Sequence, residues 1–371
     1  MPTIDMGALA SQVLWAAFGL SLLFGAIAQR THFCTMGAVA DIVNMGDWSR
    51  MRMWALAIGV AMLGFNAMVA AGWVDAGKTI YAAPRLTWLS AIVGGAMFGF
   101  GMVLASGCGS KTLVRIGGGN LKSLVVFIVL GVAAFATLRG ITAVLRVATV
   151  DRAAIVLAGG QDLPSLAAAA FGLAKAQAAL LLGGGLGAAL IVWALARSEG
   201  RSADGLLGGI GIGAVVAAMW WVSGRLGYVS EDPNTLQEAF VATNSQRMES
   251  LSFVAPIAYT LDWLLFFSDK SKLLTIGIVS TAGVVAGSAV WALASRSFRW
   301  EGFANAEDTG NHLVGAALMG VGGVAALGCT VGQGLSGIST LAIGSFIALA
   351  SIIGGAVLGV RYQAWRIERN A

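Results

Sequence analysis

Gly94-Gly-Ala-Met-Phe-Gly-Phe-Gly-Met-Val-Leu-Ala-Ser-Gly-Cys108 and Gly315-Ala-Ala-Leu-Met-Gly-Val-Gly-Gly-Val-Ala-Ala-Leu-Gly-Cys329 are two copies of one glycine-rich apolar segment. They agree at Gly94/Gly315, Ala96/Ala317, Gly99/Gly320, Gly101/Gly322, Val103/Val324, Ala105/Ala326, Gly107/Gly328 and Cys108/Cys329. Each copy is nearly a membrane crossing in length and ends in Gly-Cys, so the duplication implies two half-sites facing each other inside one helical bundle.

The rest of the chain has the composition that such a bundle needs. Of its 371 residues 57% are hydrophobic and only 11% charged, with a mean hydropathy of +0.81. Ordinary soluble domains carry about a quarter charged residues, so this is an all-α integral membrane protein that crosses the bilayer many times. The net charge of +5 does not indicate nucleic acid, because the Lys and Arg residues stand singly between apolar runs and form no basic stripe. No positive region precedes the first apolar stretch, so residues 13–29 are expected to be a retained span, not a cleaved signal.

Nine apolar runs are long enough to cross: 13–29, 53–73, 88–106, 121–138, 177–196, 205–223, 273–295, 312–328 and 342–360. Shorter apolar pieces remain at 34–45, 141–159, 164–175, 253–267 and 329–341, and these are expected to be re-entrant or half-membrane helices. With nine spans the termini lie on opposite sides, and the Arg residues at 361, 366 and 369 place the carboxyl terminus in the cytoplasm. The third and eighth spans, which carry the duplicated segment, then run in opposite directions. The expected plan is one transport domain: repeat 1 over about 1–176, a linking helix over about 177–196, and an inverted repeat 2 over about 205–371. Inverted repeats with broken helices hold their ligands near the membrane midplane, where helix amino-termini favour anions.

All three cysteines fall at expected helix breaks: Cys34 in Phe33-Cys34-Thr35, Cys108 between Gly107 and Gly109, and Cys329 between Gly328 and Thr330. Gly107, Gly109 and Gly328 are expected to permit the breaks, while the glycines earlier in each copy are expected to be helix contacts. An odd count argues against disulfides, and metal binding lacks Cys-x-x-Cys and has only His32 and His312 to draw on. Catalysis would need a base beside each thiol, which Cys108 and Cys329 lack apart from Lys111. Gly332-Gln-Gly334-Leu-Ser-Gly337 fits a dinucleotide fingerprint, but no strand precedes it. Neutral thiols in series suit a soft, polarizable ligand such as a terminal sulfur, and several weak sites let a divalent anion pass where a fixed cation would retain it. Arg30 and Lys111 could attract the anion to the mouths, but a solvated or interfacial charge is the favoured reading of each.

Phe33-Cys34-Thr35-Met36-Gly37-Ala38, Gly107-Cys108-Gly109 and Gly328-Cys329-Thr330-Val331-Gly332-Gln333-Gly334 resemble the three cysteine motifs of the YeeE/YedE family of sulfur-compound permeases, and the resemblance covers essentially the whole chain. It implies a permease of the bacterial inner (plasma) membrane that imports thiosulfate or a related sulfur anion without a cofactor, hydrogen-bonded in turn to the thiols of Cys34, Cys108 and Cys329. The substrate-binding set is then Cys34, Cys108 and Cys329 with Gly107, Gly109, Gly328 and Thr330. The bilayer and, in some members, a small TusA-like cytoplasmic sulfur carrier are the implied partners. The position matching Cys34 in the second half lies near 253–256 and carries no Cys, so an asymmetric relay is expected. A selenium-compound importer on the same scaffold and a thiol-dependent membrane sulfur-transfer enzyme are the alternatives.

Overall fold

The computed structural model describes residues 5–157, 159–233 and 235–370. The chain is helical almost throughout. The long helices are α1 (Met6–Arg30), α3 (Ser49–Ala70), α4 (Trp88–Leu104), α6 (Leu121–Arg139), α9 (Lys175–Leu195), α10 (Ala203–Trp221), α12 (Ile276–Ala294), α13 (Ala306–Ala325) and α14 (Ile343–Asn370). Between them lie the short helices α2 (Thr35–Met45), α5 (Gly109–Gly117), α7 (Ile141–Ala148), α8 (Leu163–Phe171) and α11 (Ala255–Leu265). Among the described residues eight helices are both long and apolar enough to cross a membrane. The ninth, α13, has 20 residues but opens on Glu307, Asp308, Asn311 and His312. Those polar turns are satisfied locally: Lys122 pairs with Asp308 at 2.9 Å, and the His312 ring meets the Asp308 carbonyl at 2.8 Å. The nine expected spans are all present as helices.

A twofold relation governs the packing. Helix α1 packs on α12 as α10 packs on α3; α4 packs on α14 as α13 packs on α6; α5 packs on α12 as residues 332–337 pack on α3. The two duplicated segments cross antiparallel at the centre. A β-carbon at Gly94 would lie 2.6 Å from the Gly322 carbonyl oxygen, and one at Gly322 would lie 2.6 Å from that of Gly94. Gly101 and Gly315 meet in the same reciprocal way, at 2.7 and 2.5 Å. The glycines are therefore the contact surface itself, since any side chain would drive the two backbones apart. Helix α9 lies outside the relation and packs on α3, with Gly187 against Leu63.

Three reversals bring the chain to the interior, and all have one geometry. Two residues before each cysteine stands a residue in the left-handed region: His32 (φ 52°), Ser106 (φ 56°) and Leu327 (φ 58°). The next amide closes the preceding helix: Phe33 N–H donates to the Ala28 carbonyl at 3.2 Å, Gly107 to Met102 at 2.8 Å and Gly328 to Gly323 at 2.8 Å. This is a six-to-one closure around a left-handed residue. The expectation that Gly107 and Gly109 permit the break is corrected. The left-handed positions are non-glycine, each costing about 1–2 kcal/mol, and the surrounding hydrogen bonds hold them there. Gly109 serves close approach instead, its β-carbon position lying 3.0 Å from the Phe253 carbonyl oxygen. Gly328, at φ 156°, does need to be glycine.

Four of the five short apolar pieces, all but that of α8, divide into two kinds. Helix α2, helix α11 and the half-helix of residues 330–339, π-wound over Gly332–Gly337, turn into the protein. Helix α7 does not. It has no buried residue and turns Ile141, Val144 and Leu145 outward, so the piece at 141–159 lies on the surface and is not re-entrant.

Two stability predictions follow. Gly322→Leu should cost about 3 kcal/mol or more and abolish the monodisperse species in size-exclusion chromatography, while Gly19→Leu, whose site meets nothing within 4 Å, should behave as the parent. Leu327→Gly should leave the melting temperature level or raise it by up to about 1 kcal/mol of stability, and β-branched Leu327→Val should lower it by about 1–2 kcal/mol.

Candidate functional site

Each reversal delivers a cysteine to the start of a short helix. Cys34 caps α2, Cys108 caps α5 and Cys329 opens the half-helix 330–339. All three are free thiols and buried. The Gly37 amide donates to Cys34 Sγ at 3.4 Å, and the Gly332 amide donates to Cys329 Sγ at 3.4 Å. Cys108 Sγ lies 3.2 Å from Ser110 Oγ. Where sulfur accepts from the helix, its own S–H proton stays available to a ligand, and the positive end of the helix favours a negative one.

Cys108 lies within electrostatic range of both Cys34 and Cys329. The first repeat's turn touches the second repeat directly, because Gly109 lies against the Phe253 carbonyl. Phe253 is buried against Phe24, ring centroids 5.5 Å apart, and its neighbour Val254 caps α11 as Cys34 caps α2. Val254 is thus the residue in the second half that matches Cys34. Thr330 Oγ1 is fully buried and makes no hydrogen bond among the described residues.

The surroundings of Cys329 and Cys34 differ. Toward Cys329 a cavity of about 210 Å³ reaches Gly328, walled by Ile80, Arg146, Glu249, Ser252, Tyr259 and Ser280 among others. Toward Cys34 the surroundings are cationic. Lys111 is within range of both Cys34 and Cys108, and Arg115 is close to both Lys111 and Cys34. Arg50 packs over Gly37 and pairs with Asp41 at 3.0 Å. Lys111, half-buried, therefore lies within electrostatic range of two thiols. Arg30 does lie at the periphery, paired with Asp204 at 3.4 Å.

Gly107 packs against the Lys111 stem, with a β-carbon position 3.1 Å from Lys111 Cγ. The Gly332-to-Gly337 fingerprint is buried packing, Gly334 lying against the Trp54 ring and Gly337 against Ser345. Sequence reasoning placed the Phe253 segment but missed Arg115, which carries no motif and comes near Cys34 and Lys111 only through the fold. Among the described residues no three His, Cys, Asp or Glu side chains gather to hold a metal. Buried weak donors at helix starts, with a solvent-sized cavity at one end and cations at the other, can strip and pass a small anion.

Comparison with known proteins agrees with that chemistry. Residues 30–358 match the family described as sulphur transport. The chain is 27% identical over 355 residues to the thiosulfate transporter TsuA of Escherichia coli (strain K12), covering 93% of this chain and 92% of that protein. It is 26% identical over 370 residues to the thiosulfate transporter TsuA of Spirochaeta thermophila, covering 96% of this chain and all (100%) of that protein. A stretch of 103 residues is 29% identical to the probable transporter YedE of Salmonella typhimurium, covering 26% of this chain and 23% of that protein. Because the family match takes in all three cysteine turns, the chain, a multi-pass membrane protein, belongs to the sulphur-transport family.

Proposed function

We propose that the protein is a permease of the bacterial inner membrane that carries thiosulfate, or a closely related sulfur anion, past Cys329, Cys108 and Cys34 in that order. The observation that carries this reading is the series of three buried thiols, each at the start of an inward-pointing helix. Thiosulfate has a soft terminal sulfur that a thiol matches better than it matches a hard oxyanion, and each contact is weak enough to be exchanged for the next. The similarity to two proteins named thiosulfate transporters supports the substrate. Gly107, Gly109, Gly328 and Thr330 complete the binding set, as backbone that approaches the anion and as one unpaired hydroxyl. Lys111 then draws the anion from Cys108 toward Cys34, where it is released.

The whole chain acts as one transport domain, two inverted repeats joined by α9. The face carrying Arg30, Arg52, Arg201 and Arg366 is cytoplasmic, which puts the amino terminus and the cavity outside. A TusA-like sulfur carrier would receive the anion at that arginine-bearing face.

Uptake of labelled thiosulfate by cells without their own system tests the reading. Single Ala variants at Cys34, Cys108 or Cys329 should lose at least about tenfold in rate, because the dry gap leaves a dianion without a partner, and Ser should rescue poorly. Import at near the parental rate by the triple Ala variant, present in the membrane at normal amount, would sink the idea. Orientation is checked in that triple variant: an impermeant thiol reagent added outside should label Lys270→Cys and spare Gly302→Cys.

A further inference from the structure

Tyr81 stands outside the cysteine turns, between α3 and α4, and the reading above gives it no part. Its ring is buried edge-on to Trp220, centroids 6.2 Å apart, and its hydroxyl is buried with no hydrogen-bond partner among the described residues. The ring is held firmly. Trp220 Nε1 donates to Ser339 Oγ at 3.0 Å, while the segment carrying Tyr81 is laced to the re-entrant loop by Ile80 N–H to the Met248 carbonyl (3.2 Å) and Met248 N–H to the Lys78 carbonyl (3.0 Å). The hydroxyl reaches the Cys329 turn: a β-carbon at Gly332 would lie 3.4 Å from the Tyr81 oxygen and 2.6 Å from Ser252 Oγ. Gly332 is the residue whose amide donates to Cys329 Sγ, and Ser252 also lines the cavity.

The twofold relation gives this placement its meaning. Gly332 stands third after Cys329, as Lys111 stands third after Cys108. In the first repeat that position puts a cation beside the thiols. In the second it is empty of side chain, and the hydroxyls of Tyr81 and Ser252 take up the space. An anion at Cys329 thus meets neutral donors where an anion at Cys108 meets a charge. A buried hydroxyl that leaves its hydrogen bond unmade is costly, and an oxyanion is the partner that satisfies it best.

We infer that Tyr81 is a substrate-binding residue: its hydroxyl donates to an oxygen of a tetrahedral sulfur oxyanion whose terminal sulfur rests on Cys329. This rests on the permease reading above and names the contact that reads the hard end of the substrate. The thiol and the phenol together then require an anion with one soft and one oxygenated end.

The test is Tyr81→Phe, which removes one oxygen and nothing else. In thiosulfate uptake the KM should rise roughly tenfold, with Vmax within twofold of the parent. The amount in the membrane should be unchanged and the melting temperature without substrate level or raised, because the hydroxyl has no partner among the described residues to lose and its removal relieves an unmade hydrogen bond. A KM within twofold of the parent overturns the inference. So does a fall in the substrate-free melting temperature or in the membrane amount, either of which would mark the hydroxyl as structural. If the parental protein itself imports no thiosulfate, it is the permease reading that fails, and that result is obtained before the variant is made.

Discussion

Backbone lies directly on backbone where α4 crosses α13, and the rest of the molecule is arranged around that seam. Gly94 meets Gly322, Gly101 meets Gly315, and the contact is reciprocal. In lipid there is no apolar driving force between helices, so association depends on close van der Waals approach, which glycine maximises. The seam also places the reversals. A β-carbon at Gly94 would meet the amide of Ala326, the last residue before the α13 reversal, and one at Gly315 would meet that of Ala105, the last before the α4 reversal. Each repeat therefore determines where the other one's helix stops, and through that stop where Cys108 and Cys329 lie.

The turns match, but their surroundings do not. The three reversals share one hydrogen-bond closure and one left-handed position, yet the side chains beside the thiols are different in kind. Tyr81 and Ser252 hydroxyls stand against the Cys329 turn, with Arg146 and Glu249 on the wall of the adjoining cavity, whereas Lys111, Arg115 and Arg50 gather toward Cys34. Val254, standing where a fourth thiol would be, leaves the second repeat one donor short.

The sequence carried the duplicated segment, the long helices and the three cysteine breaks, because apolar runs of membrane length and repeated Gly-Cys are local signals. Other features were beyond it. Lys111 and Arg115 make α5 look like a polar loop, although its apolar residues Leu113 and Val114 are buried. Ser106 and Leu327 take the left-handed positions that glycine neighbours seem made for, since the closure is set by hydrogen bonds and not by residue type. Tyr81 comes against the Cys329 turn from a segment far along the chain. Helix α7 is as apolar as its re-entrant counterparts, and only its packing shows that it faces outward.

A seam in which backbone meets backbone, with Met97, Ala105, Leu318 and Ala325 beside it, leaves few rotamers to exchange. Transporters that rock one half against the other need an interface with two alternative packings of comparable energy, and interdigitated side chains supply them. The glycine contact is instead close-packed backbone, with β-carbon positions 2.5–2.7 Å from the facing carbonyl oxygens. On the permease reading proposed above, such a seam favours a fixed frame in which only small parts move: a thiol, a phenol or the segment carrying Phe253.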